Sequence, residues 1–228
     1  MNKFLKLMVL AMACFSPFIF AQSPFQGFYG QIATGYESNS VGNTSLTMNN
    51  SSNFPGGNNP TSSTAPIVIG LGYNHVFTSA FLMGLGADYS ALQTNVGNSW
   101  INGANSGEVN YKVSNRLNLF LTPSYIIDNS AIAYAKIGYS TQTIKAQYTN
   151  GADSANGSSM GSGNASGYVL GLGYKQMIYS GFYGFGEANY YSYSKVTLNS
   201  QLADTTVITN FSPSTSAYNF LVGIGYKF

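Results

Sequence analysis

The sequence predicts an all-β fold, a transmembrane up-and-down antiparallel β-barrel of eight strands. Three observations predict it: eight segments alternate apolar with polar residues, the connections alternate between long and short, and the last strand gathers its aromatic residues on one face. Successive side chains of a strand point to opposite faces, so this alternation puts the apolar residues on one side of the sheet. A barrel in lipid turns that side outward and leaves no open strand edge.

The last strand is the clearest of the eight. Residues 216–228 read S-A-Y-N-F-L-V-G-I-G-Y-K-F, with apolar and aromatic residues on one face and mostly small or polar residues on the other. The apolar face includes Phe220, Val222, Ile224, Tyr226 and Phe228. An apolar face of this kind fits contact with lipid.

Seven other segments alternate in the same way, at 27–37, 65–76, 80–93, 108–125, 131–148, 166–176 and 181–196. A strand tilted by roughly 45° needs about 9 to 11 residues to cross the apolar layer, and each segment is long enough. In the fourth segment the alternation predicts that Tyr111, Val113 and Leu117 face lipid. It predicts that Lys112 and Arg116 face the interior.

Four connections are long and rich in Asn, Ser, Gly and Thr: 38–64, 95–107, 150–165 and 197–213. The three between them are short, at 77–79, 126–130 and 177–180. Short periplasmic turns and longer outside loops are typical of outer-membrane barrels. The long connections have little apolar content, so we expect their tips to be mobile.

Residues 1–21 predict a secretory signal peptide, with Lys3 and Lys6 before an apolar run at 7–15 and a cleavage site after Ala21. The barrel domain would then be residues 22–228. Only 7% of the chain is charged, against about 25% in an average globular protein. Removing Lys3 and Lys6 from nine basic residues leaves seven, which equals the seven acidic ones. A neutral chain has no electrostatic footprint for nucleic acid.

Five charged residues are predicted to point into the barrel: Glu37, Asp88, Arg116, Lys136 and Glu187. Buried charges must pair, because an unpaired one costs several kcal/mol. Two hypotheses follow, a hydrogen-bonded plug that makes the interior rigid, or a gate whose ion pairs rearrange to pass ions. Aromatic girdles at the two interfaces are expected from the tyrosines, among them Tyr29, Tyr36, Tyr89, Tyr125, Tyr139, Tyr174 and Tyr226.

Glycine alternates with apolar residues in four short motifs: I-G-L-G-Y (69–73), M-G-L-G-A-D-Y (83–89), L-G-L-G-Y-K (170–175) and V-G-I-G-Y-K (222–227). With the signal peptide and the aromatic C-terminal strand, they make the chain resemble the small eight-stranded outer-membrane proteins of Gram-negative bacteria. That superfamily includes the OmpA membrane domain and OmpX, and the resemblance covers the whole processed chain. Inner-face glycines would leave room for larger neighbours in a narrow lumen.

The resemblance implies a monomer in the bacterial outer membrane, surrounded by membrane lipid and lipopolysaccharide. It also implies periplasmic chaperones and the barrel-assembly machinery as partners. The assembly signal would be the outward set of the last strand: Phe220, Val222, Ile224, Tyr226 and Phe228.

No catalytic, cofactor or metal site is predicted. Some small barrels modify lipid A with a His, a Ser and an acid near the outer rim, but the single histidine, His75, lies beside a short turn with Ser79 nearby, which predicts the opposite rim. The one cysteine, Cys14, lies in the signal peptide, so no metal-ligand cluster is expected. The predicted function is non-enzymatic, a membrane-structural and surface-interaction role through the four long loops toward an extracellular ligand or host surface. The alternatives are a narrow porin-like channel for ions or small solutes and, third, a lipid A-modifying enzyme.

Overall fold

A computed structural model describes residues 23–42, 44–48, 52–54, 56–101, 107–150, 159–201 and 208–228. The predicted signal peptide, residues 1–21, lies outside these ranges. Among the residues that they contain, none belongs to a helix long and apolar enough to cross a bilayer.

Eight strands form the barrel, and each is antiparallel to its neighbours. They are β1 (Gly27–Gly42), β5 (Ile67–Val76), β6 (Phe81–Ser90), β8 (Gly107–Asp128), β9 (Ala131–Asn150), β10 (Ser159–Tyr179), β11 (Phe182–Tyr193) and β14 (Ser214–Lys227). They pair in this order, and β14 then pairs with β1 from Tyr29↔Lys227 to Gly42↔Ser214, which closes the ring. The predicted fold class is confirmed.

Six shorter strands lie in the long connections: β2 (Leu46–Met48), β3 (Ser52–Phe54), β4 (Thr61–Thr64), β7 (Thr94–Ile101), β12 (Leu198–Gln201) and β13 (Ile208–Phe211). β4 pairs with β1 and β7 pairs with β8, so both extend the barrel wall. The other four form a separate sheet in the order β12-β13-β2-β3. Parts of the predicted long connections are therefore paired in strands. β10, for example, begins at Ser159, inside the predicted loop 150–165. The mobile tips stay a prediction, because the parts of these connections that lie outside the described ranges give no test of it.

The outer surface carries the predicted apolar belt. Leu71 of β5, Leu172 of β10 and Val222 of β14 are each about two-thirds exposed, at 66%, 69% and 65%. Aromatic rings pair edge to face near the end that holds the short turns, as in Phe28–Tyr73 and Phe182–Tyr226, both with centroids 4.8 Å apart. These pairs form the lower girdle of the belt.

A second set of exposed tyrosines forms the upper girdle: Tyr36, Tyr89, Tyr139, Tyr168, Tyr190 and Tyr218. Along β1 the two girdles are separated by the eight residues from Phe28 to Tyr36. A rise of about 3.3 Å per residue and a tilt of about 40° give a belt roughly 20 Å tall, close to the 25 Å or so of known barrels.

Tyr29 is a correction to the predicted girdle. Its ring is 3% exposed and lies inside the barrel, where it meets Tyr183 at a centroid distance of 6.5 Å. The reason is its position next to Phe28, because neighbouring residues of a strand cannot share a face.

β8 gives the main correction. Tyr111 and Val113 are buried inside the barrel, at 0% and 4% exposure, although the alternation predicts that they face lipid. The pairing with β9 jumps from Ser114↔Thr143 to Leu117↔Thr141, so Asn115 and Arg116 oppose the single residue Gln142. This β-bulge shifts the alternation by one residue. Lys112, predicted to face the interior, therefore lies on the outer face.

The bulge needs a residue with positive φ, and Asn115 adopts φ 54°. Asn enters this left-handed region more readily than most residues do. Arg116, the second residue of the bulge, points inward as predicted.

Inner-face glycines make room for aromatic rings, as the sequence predicts. A Cβ on Gly173 would collide with the ring of Tyr134, and one on Gly225 would collide with the ring of Tyr183. The narrow lumen is therefore packed with side chains.

Candidate functional site in the barrel interior

The interior is filled in three layers. At the end with the short turns lies the lower cluster: Phe25, Tyr29, Ala33, Val68, Leu82, Ile132, Tyr183, Phe185 and Leu221. At the opposite end lies the upper cluster: Val41, Val96, Val109, Tyr111, Val113, Ile144, Ala146 and Leu198. Between them the barrel holds a polar layer, which contains all five predicted interior charges.

Arg116 is the first centre of the polar layer. Its Nη1 lies 2.5 Å from Oε2 of Glu37, and its Nη2 donates to Oδ1 of Asn39 at 2.7 Å. Nε and Nη2 also donate to Oε1 of Gln142, at 3.2 and 3.1 Å. The guanidinium lies 4.6 Å from the ring centroid of Tyr191. These contacts hold the charge in one geometry, since Arg presents its donors in a rigid plane.

Lys136 is the second centre. Its Nζ lies 2.7 Å from Oδ2 of Asp88 and 2.9 Å from Oε1 of Glu187. It also lies 4.1 Å from the ring centroid of Phe120. The second oxygen of each carboxylate is occupied as well, because Asn118 donates to Oδ1 of Asp88 and the Tyr134 hydroxyl donates to Oε2 of Glu187.

Two asparagines join the centres. Asn189 donates to Oε1 of Glu187 at 2.8 Å and to Oδ1 of Asn219 at 2.9 Å. Asn219 in turn donates to Oε2 of Glu37 at 3.2 Å. The structure thus brings the five predicted residues into one continuous network. Every carboxylate and cation in it is about nine-tenths buried or more.

A sixth interior charge, Lys175, is absent from the predicted set. Its Nζ donates to Oε1 of Gln31 at 3.3 Å and lies 4.2, 5.0 and 5.3 Å from the ring centroids of Tyr29, Tyr183 and Tyr134. The signal for it is present in the sequence, because Lys175 follows the lipid-facing Tyr174 and must point inward. Lys175 lies beside the lower cluster, and with Arg116 and Lys136 it formally balances the three carboxylates Glu37, Asp88 and Glu187.

Free space beside the first centre is small. The cavity beside Arg116 and Glu37 measures about 10 Å³, roughly the space of a single water. The arrangement fixes charges in place and fills the cross-section of the barrel.

The other predicted positions lie elsewhere. His75 is half-buried near the end of β5, at the rim with the short turns, and its ring meets Phe77 edge-on at 5.0 Å. Phe220, Val222, Ile224, Tyr226 and Phe228 lie exposed along the outer face of the last strand, and their role as an assembly signal stays a prediction. Within the described ranges no group of three or more His, Cys, Asp or Glu residues could hold a metal ion.

Among the comparisons with known proteins, only the structural one finds similar proteins, and it identifies the fold. No protein-family model and no curated protein matches this sequence. The outer membrane protein OprG from Pseudomonas aeruginosa is similar in structure, with a TM-score of 0.57 and 15% identity over 89% of this chain and 96% of its own. The chain has the fold of the bacterial outer-membrane β-barrels.

The outer membrane protease OmpT from Escherichia coli is also similar, with a TM-score of 0.53 and 8% identity over 92% of this chain and 99% of its own. Ail, the attachment invasion locus protein of Yersinia pestis, has a TM-score of 0.43 and 15% identity over 89% of this chain and 99% of its own. Because a protease shares this fold, the fold leaves open whether an outer-membrane barrel is an enzyme. The fold and the apolar belt support the predicted location in the bacterial outer membrane.

Proposed function

We propose that this outer-membrane barrel is a closed, non-enzymatic membrane protein that works through its surface. The observation that carries the proposal is the filled interior. The upper and lower apolar clusters and the polar layer between them occupy successive levels of the barrel, and the cavity beside Arg116 and Glu37 has room for about one water. A conducting path would have to break ion pairs that are buried and whose carboxylates each accept further hydrogen bonds.

The part that extends beyond the upper girdle supports a surface role. Strands β8 and β9 continue for several residues past Leu117 and Tyr139, and the four-stranded sheet of β12, β13, β2 and β3 belongs to the same side. Short strands paired in this way hold their own backbone more rigidly than free loops do. An extracellular ligand or host surface would meet this side first.

A non-enzymatic role is supported by the distribution of reactive groups. His75 lies at the rim with the short turns, and the interior carboxylates are engaged by Lys136, Arg116 and amide donors. A general base must reach its nucleophile and a substrate. Expression of the protein should leave the mass spectrum of lipid A unchanged, and a new lipid A species would contradict the proposal.

Planar-bilayer recording tests the closed interior. We expect negligible current from the wild-type protein and from Arg116→Ala and Lys136→Ala variants, because the apolar clusters above and below the network remain in place. Refolded samples are first checked by circular dichroism and by heat-modifiable migration in gels. Stable single-channel currents that change on replacement of Arg116 or Lys136 would show a gate instead, and would favour the porin-like alternative.

A further inference from the structure

Two lysines face each other on the outer wall above the upper girdle. Lys112 of β8 is the register partner of Lys145 of β9. Lys112 lies between the buried Tyr111 and Val113, and Lys145 lies between the buried Ile144 and Ala146. Because neighbouring side chains of a strand alternate, both lysines point away from the upper cluster and out of the barrel.

This arrangement places two cations side by side, and the described ranges supply no counter-charge paired with either. Like charges directly across a strand pair are destabilising. In the part of the chain that the structure describes, neither lysine forms an ion pair with a carboxylate. Glu108, on the same strand, accepts a hydrogen bond from Asn98 at 3.0 Å. An external anion between the lysines would remove the repulsion.

The wall around the lysines is polar and consists of amides and hydroxyls. Asn95 of β7 is opposite Lys112 on its other side, and Ser162 of β10 is opposite Lys145. One step toward the membrane, Thr143 donates to Oδ1 of Asn164 at 3.1 Å. Amides and hydroxyls of this kind suit the hydroxyl groups of a sugar, while the two ammonium groups suit phosphate or carboxylate.

The height of the two lysines above the upper girdle indicates which ligand they would bind. Lys145 is six residues beyond Tyr139 of the upper girdle, which corresponds to about 15 Å along the barrel axis for strands tilted by about 40°. The same two strands carry Ile137 and Leu119 in the lipid belt below, each more than half exposed. A lipid whose acyl chains cover that belt would present its head group to the lysines.

We propose that Lys112 and Lys145 bind the anionic core oligosaccharide of lipopolysaccharide in the surrounding outer leaflet. The site lies on the outer wall, so the inference goes beyond the proposed closed interior and does not depend on it. It requires only that the barrel sits in the outer membrane. Two charged contacts at one head group add affinity together, since each charge-assisted hydrogen bond is stronger than a neutral one.

Native mass spectrometry of the intact, refolded barrel in detergent measures the binding directly. The probes are rough lipopolysaccharide with a phosphorylated core, lipid A without the core, and inorganic phosphate at the same concentrations. The variants are K112Q/K145Q, which removes both charges, K112R/K145R, which keeps them, and K195Q, which removes an exposed lysine of the segment between β11 and β12. Folding is checked by heat-modifiable migration, and the single K145Q variant serves if the double one does not fold.

We expect wild type, K112R/K145R and K195Q to bind the rough lipopolysaccharide equally, and K112Q/K145Q to bind it about tenfold more weakly, with several-fold weakening for K145Q alone. Equal binding by wild type and the charge-removing variants would overturn the proposal. Lipid A that binds as tightly as the core-bearing lipid would exclude the core as the ligand. Saturation by inorganic phosphate alone would show an anion site with no relation to lipid.

Discussion

The barrel changes character at the level of Asn115. Directly below it, at the polar layer, the wall is apolar outside and polar inside, with Leu119 and Ile137 in lipid and Lys136 and Glu187 in the interior. Above it the order is reversed, with the upper cluster inside and lysines outside. One continuous sheet thus has the apolar and polar faces of a membrane barrel at one level and those of a water-soluble barrel at the next. What the wall needs on its inner face depends on the medium that touches its outer face.

The two strands make this reversal in different ways. β9 keeps a constant alternation and changes its residues, from Lys136 and Ser140 inside to Ile144 and Ala146 inside. β8 keeps its apolar residues at odd positions and moves the backbone by one residue at the bulge. Both solutions put apolar groups inside at the same height.

Deletion of Asn115 should have the largest effect, because it removes the bulge that reverses the faces of β8. Without the extra residue, Tyr111 and Val113 would face water and Lys112 would face the upper cluster, because a shift by one residue flips every side chain. We expect loss of the folded, heat-modifiable form, measured by gel migration and circular dichroism after refolding. The control is Asn115→Gly, which tolerates positive φ and should refold like the wild type. A deletion variant of normal stability would show that the bulge does not set the faces.

Replacement of Lys136 by Met tests the interior below the bulge. The change leaves Asp88 and Glu187 buried without their shared cation, and breaking a buried ion pair costs about 3–5 kcal/mol. The free energy of unfolding in urea, measured in lipid vesicles, should fall by that amount. The control Lys195→Met removes an exposed lysine and should leave the unfolding midpoint unchanged. An equally stable Lys136→Met barrel would mean that the network contributes little.

Two isoleucines on β9 test the two levels of the barrel with the same substitution. Ile144 is fully buried in the upper cluster, whereas Ile137 is 54% exposed in the belt. Ile144→Ala should cost about 2–4 kcal/mol through a cavity. Ile137→Ala should cost less than about 1 kcal/mol, because lipid chains as apolar as the lost side chain fill the space. Both values come from vesicle unfolding experiments, and equal losses would contradict the reversal.

Much of this structure could be predicted from the sequence, because the lipid belt imposes a strict period of two on every strand. Strands β5, β6 and β14 follow it from end to end, and their faces are as the sequence predicts. β8 defeats the same reasoning, since Val109, Tyr111 and Val113 continue the odd-numbered apolar pattern of Leu117 and Leu119 across the bulge. The signal that was available is Asn115, a residue type that tolerates positive φ. A second signal is the change on β9 from odd to even apolar positions.

The interior charges could be predicted one by one, but not their partners. Alternation assigns Glu37 and Arg116 to the lumen, yet 79 positions separate them in the chain, and their contact depends on how the strands are staggered around the ring. Lys175 was predictable from the same rule. Its contacts with Tyr29 and Tyr134 were not, because they require the space left by inner-face glycines.

The small sheet of β12, β13, β2 and β3 bears on the order in which the protein folds. Its central pairing joins Leu46, from early in the chain, to Phe211, close to its end. These segments meet only after β1 and β14 have come together, since the two strands lead into them. The sheet should therefore be the last part of the protein to acquire its backbone hydrogen bonds, and amide protection at Thr47 and Asn210 would report when the ring has shut.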